Sequence, residues 1–378
     1  MTTPSSTPLA VLHLDTGREW RGGQQQVLFL SRGLTRRGIR SVIASPAGSP
    51  LAERTAASEL PSLALDYGGP YAPSSIRALR RLLRLEHWSV VHAHTAHAHS
   101  LLFLALRMGN LSGRTAPTVF VARRVDFEPK RDPFTRMKYL ARHQQIICVS
   151  HGVRAVMAKY GVEESRLHVV HSGVEPTGLS PFPGEERARL RAELALPIDA
   201  PVLGAIGQLV PHKGHVHLIE AMKQIVAVAP RARLVILGEG EERAELEASI
   251  ARHGLGSVVS LPGYLPHARR YLPAFDLYVS SSVEEGLGTS ILDASRAGLA
   301  VVATWAGGSR ETVDDGRTGI LVEPGRPFAL AQAVTRLLRD PAERARLGAA
   351  GPAWIEANFS VDRMVKGTLA VYGAASGR

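Results

Sequence analysis

Short apolar, β-branched runs alternate along the whole chain with longer stretches in which apolar positions recur every three or four residues. In the first half the runs at 9–14, 41–44, 62–65, 90–92, 118–121 and 146–149 predict strands, and stretches such as 24–37 predict the helices between them. A repeated strand and helix unit calls for a parallel sheet covered by helices on both faces. Residues 175–184, Glu-Pro-Thr-Gly-Leu-Ser-Pro-Phe-Pro-Gly, form the densest Pro and Gly cluster in the chain and continue neither a helix nor a central strand, which predicts a linker. Beyond it the alternation restarts, with strands predicted at 202–206, 234–237, 258–261, 277–280 and 299–303. The predicted fold class is α/β, with two doubly wound, Rossmann-like domains facing each other across a cleft. Their expected limits are 1–175 and 187–378, joined by a linker at 176–186, with the last helix free to cross back to the first domain. Ligands of such sheets bind beyond the carboxyl ends of the strands, so those loops and the cleft are the expected site.

Composition narrows the class. A chain of 378 residues, 45% apolar, is long enough for two self-sufficient cores. The single cysteine, Cys148, forms neither an internal disulfide nor a cysteine zinc cage, and a reducing cytoplasm is the expected compartment. The N-terminus has no basic region ahead of its short apolar stretch, so no export signal is expected. The longest strongly apolar run, 101–106, is far below the ~20 residues of a bilayer-spanning helix.

Charge is uneven. Up to Ser180 there are 23 Lys and Arg against 12 Asp and Glu, and after it 22 against 22, so the whole excess of +11 lies in the first half. That half is expected to meet an anionic partner, a membrane surface, an acidic substrate or nucleic acid, or else to carry a solvated basic surface. Within it, Arg77, Arg80, Arg81 and Arg84 fall at helical spacing on one face, with Ile76, Leu79 and Leu83 on the other. Such an arginine stripe suits lipid headgroups and equally suits water. Nucleic acid is not expected, because the basic stretches lack interleaved aromatic residues.

Four segments could carry chemistry. The loop from Asp15 to Gly23 opens a helix after the first strand and offers backbone amides to an anion, but has the signature of neither a P-loop nor a dinucleotide fold. His92 and His94 share a strand face with His97 close behind; without a nearby Cys or Asp, no metal site is expected, and hydrogen bonding to a polar ligand or within the core is. Lys213 stands beside a helix start, where a cation and the helix dipole together favour a diphosphate. Finally, Glu285 and Asp293 flank the glycine-lined turn Gly286-Leu287-Gly288-Thr289 between a strand and a helix, a spacing that suits a nucleotide diphosphate sugar held by hydroxyls at its ends and by loop amides at its phosphates.

Together these segments resemble the retaining glycosyltransferases of family four, which have the GT-B fold. The resemblance rests on Gly22-Gly23, His92-Ala93-His94, Val149-Ser150, His171-Ser172-Gly173-Val174, Lys213-Gly214, Leu237-Gly238-Glu239-Gly240, the Glu285 to Asp293 segment and Ala306-Gly307-Gly308-Ser309-Arg310-Glu311, in that order over nearly the whole chain. It implies a sugar-nucleotide donor in the C-terminal domain and an acceptor in the N-terminal one. By it Lys213 steadies the donor diphosphate, Glu285 contacts the transferred sugar and Asp293 holds the ribose. Gly22 and Gly23 let backbone approach the phosphates, Gln208, Gly286, Leu287, Gly288 and Thr289 complete the donor site, and His94 faces the sugar. It further implies retention of anomeric configuration, no metal and no cofactor, a glycan or lipid-linked acceptor in cell-envelope polysaccharide or glycolipid synthesis, and a cytoplasmic enzyme, peripheral on the membrane if the basic half docks there. Four positions depart from the family pattern: Gln208 replaces an Arg, Asp293 a Glu, Ser172 an Asn, and a glutamine of the run Gln24-Gln25-Gln26 replaces a Glu. A sugar-nucleotide epimerase of the same fold, or a basic binding protein with a decayed site, are the alternative readings.

Overall fold

The computed structural model describes residues 8–108, 116–175 and 184–376. Two sheets form, every strand pair in them parallel. The first contains β1 (Ala10–Leu14), β2 (Arg40–Pro46), β3 (Ser62–Leu65), β4 (Val90–Ala93), β5 (Thr118–Arg123), β6 (Gln144–Cys148) and β7 (Leu167–Val169), in the order β3-β2-β1-β4-β5-β6-β7. The second contains β8 (Val202–Ile206), β9 (Arg233–Leu237), β10 (Val259–Gly263), β11 (Leu277–Ser280), β12 (Val301–Thr304) and β13 (Gly319–Val322), in the order β10-β9-β8-β11-β12-β13. In both, the chain starts at a central strand, winds outward, then returns to the other side, which places a topological switch point beside β1 and beside β8.

The central strands β1, β4 and β12 are buried at every position, as strands covered on both faces must be. Local chemistry sets the helix starts. Thr95 Oγ1 accepts the Ala98 N–H at 3.1 Å ahead of the helix Ala96–Arg107, and Ser150 Oγ accepts the Val153 N–H at 3.1 Å ahead of His151–Tyr160. Pro73 occupies the first turn of Pro73–Leu85, where its missing N–H costs nothing.

The chain divides into two compact units: one runs up to Gly173 and takes in everything from Val361 onward, the other is Val174–Ser360. The helix Val361–Ser376 therefore belongs with the first unit, where Met364, Val365 and Tyr372 share a core with Phe29, Leu30, Leu34 and Phe120. Gly33 permits this packing, since a Cβ there would lie 2.4 Å from Val365 Cγ2.

The predicted strands form, with ends moved by a few residues, but β7 and β13 have no counterpart in the predicted set. β7 is three residues long with His168 in its middle, which breaks the apolar run, whereas β13, Ile320 to Val322 after Gly319, is a short apolar run that the predicted set lacks. Residues 176–183 of the expected linker lie outside the described residues, while 184–186 open the helix Gly184–Glu193 and are not linker.

Candidate functional site

In the second unit β8 leads into one turn of 3₁₀ helix, Pro211–Lys213, and then through Gly214 into the helix His215–Val228. Gly214 has φ +59°, in the left-handed region, and a Cβ there would lie 2.3 Å from the Ser281 carbonyl oxygen. Only glycine allows the turn to rest against the end of β11. The consequence is a contact between residues distant in sequence: Lys213 Nζ stands 2.5 Å from Glu285 Oε2. Ser282 Oγ donates to the same carboxylate oxygen at 3.1 Å, and Ser281 Oγ donates to the Lys213 carbonyl at 3.1 Å. From the other side the Gly308 N–H donates to the Glu285 carbonyl at 2.7 Å, and a Cβ on Gly308 would meet the Gly286 carbonyl oxygen at 2.2 Å. Three strand-end loops are thus clamped on one ion pair. Its side chains are 22% and 11% exposed.

Gly286 and Leu287 are buried beneath this loop; Gly288, at φ +84°, turns it, and Thr289 opens the helix Thr289–Arg296. Asp293 lies one turn into that helix and is 9% exposed. Burial pushes its carboxyl up to about 6, opposed by the Arg269 guanidinium, whose Nε lies 2.6 Å from Oδ2. Arg269 was not visible in the sequence. It sits in a 3₁₀ stretch, Ala268–Ala274, that no motif marks.

In the first unit, β1 pairs with β4 in a register that sets His13 opposite His92, so His13, His92 and His94 share one sheet face. His13 Nδ1 is 2.9 Å from His94 Nε2, His13 Nε2 is 3.1 Å from Ser41 Oγ, and His92 Nδ1 is 2.7 Å from the Tyr372 hydroxyl. Burial holds all three imidazoles neutral at pH 7, His13 down to about 3. Their closest ring nitrogens lie within 4.8 Å of one another, a spacing a metal ion could bridge, yet the Arg124 guanidinium acts on His92 and His94 from nearby and opposes any cation there. His13 takes the third place expected of His97, which is exposed on the helix Ala96–Arg107. The cue available was His13 itself, at the same depth in a neighbouring strand.

His94 also lines a cleft of about 830 Å³ at the carboxyl ends of β1, β4 and β5. Gly23, in the first turn of the helix Gly22–Thr35, reaches the same cleft. A Cβ on Gly23 would meet nothing nearer than Arg124 Cδ at 3.8 Å, so neither its backbone angles nor the packing requires glycine.

Residues 186–354 match the family described as Glycosyl transferases group 1, and residues 20–177 match Glycosyltransferase Family 4. The chain belongs to the family 4, group 1 glycosyltransferases. It is 31% identical over 224 residues to the 2-deoxystreptamine glucosyltransferase of Streptomyces kanamyceticus, covering 58% of this chain and 58% of that protein. It is 32% identical over 228 residues to the lipopolysaccharide core biosynthesis glycosyltransferase LpsE of Rhizobium meliloti (strain 1021), covering 60% of this chain and 63% of the relative. The chain thus spans 58% and 63% of the length of these two curated relatives. The crystal structure of Anabaena HepE in complex with UDP and glucose superposes with a TM-score of 0.83 at 19% identity, covering 97% of this chain and 100% of that one. That likeness places the chain in the GT-B fold.

Several of the positions where this chain departs from the family pattern have local partners. Gln24 Nε2 donates to both Asp15 carboxylate oxygens at 3.1 and 3.2 Å, while Gln24 Oε1 accepts the Arg21 N–H at 3.2 Å. Gln26 exchanges two hydrogen bonds with the Gly173 backbone, at 2.9 and 2.7 Å. Ser172 Oγ accepts from Arg124 at 3.2 Å. Gln208 points its side chain to solvent, and its carbonyl accepts from His215 Nε2 at 3.1 Å. Of the arginine stripe, Arg77, Arg81 and Arg84 are exposed, whereas Arg80 is turned inward and donates to the Ala105 carbonyl at 2.7 Å. Among the described residues three of the four arginines are free of such a tie, and the half-buried fourth links its helix to the next while still lining the same surface.

Proposed function

We propose that this glycosyltransferase moves a sugar from a nucleotide diphosphate sugar, held in the C-terminal domain, to a glycan or lipid-linked acceptor held in the N-terminal domain, without metal and with retention of configuration. The observation that carries this reading is the Lys213–Glu285 pair, partly exposed and clamped at the strand ends of the second sheet. An incoming diphosphate offers Lys213 a second anion. As the ammonium turns to it, Glu285 is released to accept hydrogen bonds from the hydroxyls of the transferred sugar. Lys213 and the N-terminal ends of the helices His215–Val228 and Thr289–Arg296, neither of which has a side-chain cap, then face the leaving diphosphate, supplying the positive charge that a metal supplies elsewhere. Retention follows if the departing phosphate takes the acceptor hydroxyl's proton on the face it leaves. Asp293 orients the ribose, with Arg269 keeping its carboxylate ionised.

Mixing the protein with UDP-, GDP- and ADP-sugars and a panel of glycan and lipid-linked acceptors tests the reading. The expected result is acceptor-dependent release of nucleotide diphosphate at a rate nearly unchanged by EDTA. Release abolished by EDTA and restored by a divalent ion would overturn the metal-free mechanism, and epimerised sugar without transfer would overturn the reaction class.

The relative LpsE, named for lipopolysaccharide core synthesis, supports a place in cell-envelope synthesis. Among the described residues no helix is long and apolar enough to cross a membrane. Arg77, Arg81 and Arg84 line a shallow groove, together with Arg80 and Leu85, that suits anionic headgroups, each arginine near such a surface being worth about 1 kcal/mol. Changing these three to glutamine should reduce co-sedimentation with anionic vesicles at low salt and leave neutral vesicles unaffected. Equal binding by the variant would return the stripe to a solvated surface.

A further inference from the structure

The cleft of the first unit is lined by buried nitrogens with nothing to bond to. His94 Nδ1, Arg123 Nε and Arg124 Nε have no hydrogen-bond partner, and all three residues line the same cleft at the carboxyl ends of the strands. A buried polar nitrogen left unsatisfied is costly, so the Nε–H donors of the two guanidinium groups, together with His94 Nδ1, donor or acceptor according to its tautomer, mark a place where a ligand is to supply partners. Arg123 is otherwise engaged, donating to the Phe127 carbonyl and to the Tyr139 hydroxyl at 3.4 Å. Arg124 is engaged only with the neutral Ser172 hydroxyl. Among the described residues no carboxylate lies within ion-pair distance of Arg124.

The acid that acts on Arg124 is Asp15, whose own oxygens are taken by the Gly17 N–H at 2.7 Å and by Gln24. Burial pushes the Asp15 carboxyl up and the Arg124 guanidinium down to about 10, which leaves the guanidinium cationic at neutral pH beside a weak counter-charge. Arg124 also lies against the first turn of the helix Gly22–Thr35, which contains no acidic side chain. Cation, helix N-terminus and unfilled donors thus converge on one point, and the electrostatics call for an anion there. A cavity of about 830 Å³ is too large for a small ion alone, and the aromatic rings of Tyr67, Phe127 and Tyr139 along it suit the faces of a sugar ring.

We propose that this cleft takes an acceptor sugar bearing a phosphate, bound through Arg124 and the first turn of the helix Gly22–Thr35, with the sugar ring lying toward His94. The proposal rests on the reading that the N-terminal domain holds the acceptor, and it names the acceptor's chemical class. Arg124 sets that specificity; the donor diphosphate is the other source of phosphate that the same chemistry would accept.

Calorimetric titration of the full chain, without donor, decides between them. The ligands are hexose 1-phosphates, hexose 6-phosphates, an inositol monophosphate and glucuronate, each against its neutral parent, together with inorganic phosphate, UDP, GDP and ADP. At least one sugar phosphate should bind roughly tenfold or more tightly than its parent, and than inorganic phosphate. Arg124→Gln should lose that preference while the nucleoside diphosphates bind as before, and Arg124→Lys should retain part of it; the lysine variant serves alone if the glutamine variant does not fold. No preference for any sugar phosphate overturns the proposal. So does an Arg124→Gln variant that loses nucleoside diphosphate binding and keeps sugar phosphate binding, because the anion would then belong to the donor. Preference for glucuronate over the phosphates would replace phosphate by carboxylate. Failure of the glycosyl-transfer reading looks different: sugar phosphates would bind, and no sugar nucleotide would be turned over with any of them.

Discussion

Replacing Glu285 by glutamine should lower turnover of the sugar nucleotide at least tenfold, and replacing Lys213 by alanine should do the same. Tenfold corresponds to about 1.4 kcal/mol of transition-state stabilisation, a modest share for a charge beside a forming diphosphate. The two variants should differ in detail. Without Lys213 the diphosphate loses its cation in both the bound and the reacting state, so donor KM rises as kcat falls. Glutamine at 285 keeps a hydrogen-bonding group but loses the charge that holds Lys213 in place and accepts the sugar's hydroxyls, so the loss should fall mainly on kcat. Both residues lie in strand-end loops outside the apolar clusters, and thermal unfolding should move little. Steady-state kinetics over a range of donor concentrations separate the effects. Wild-type rates in both variants would remove the pair from the site.

The second large effect is on stability. A chain ended at Ser360 should fail to fold its N-terminal unit, although no residue of the removed segment lies near that unit in sequence. Met364, Val365 and Tyr372 are buried to 6%, 0% and 0% exposure in the core they share with Phe29, Leu30 and Leu34. Burying three side chains of this size contributes about 6 kcal/mol, comparable with the whole stability of a typical domain, about 5–15 kcal/mol. Limited proteolysis and calorimetry should show the second unit protected and the first one cleaved. By contrast, Tyr372→Phe removes only the hydroxyl that meets His92 Nδ1 and should cost about 1 kcal/mol. A truncated chain that melts like the full one would show that the last helix merely decorates the first unit.

Much of this protein is legible along the chain, and the boundary of what is legible has a physical cause. Hydrophobic period is a local property. A strand buried on both faces is mostly apolar, and so β1, β4 and β8 declare themselves, whereas β7 is three residues long with His168 in its middle and does not. Residues at strand ends are likewise legible, because a strand followed by a glycine turn and a helix must present that turn at the carboxyl edge of the sheet; Lys213, Gly214, Glu285 and Gly288 were found this way. Which side chains then meet is not local. The Lys213–Glu285 pair joins residues 72 apart, and the His13–His94 contact residues 81 apart. Each exists because the winding order sets β8 against β11 and β1 against β4. Arg269 beside Asp293, Arg124 against the helix Gly22–Thr35 and Tyr372 under His92 have the same origin. The apolar pattern by itself determined that there would be two parallel sheets and which loops would stand at their carboxyl edges. Only the tertiary structure decided the partner of each charge, because a charge's partner is set by which strands lie side by side, and the pattern along one strand carries no record of its neighbour.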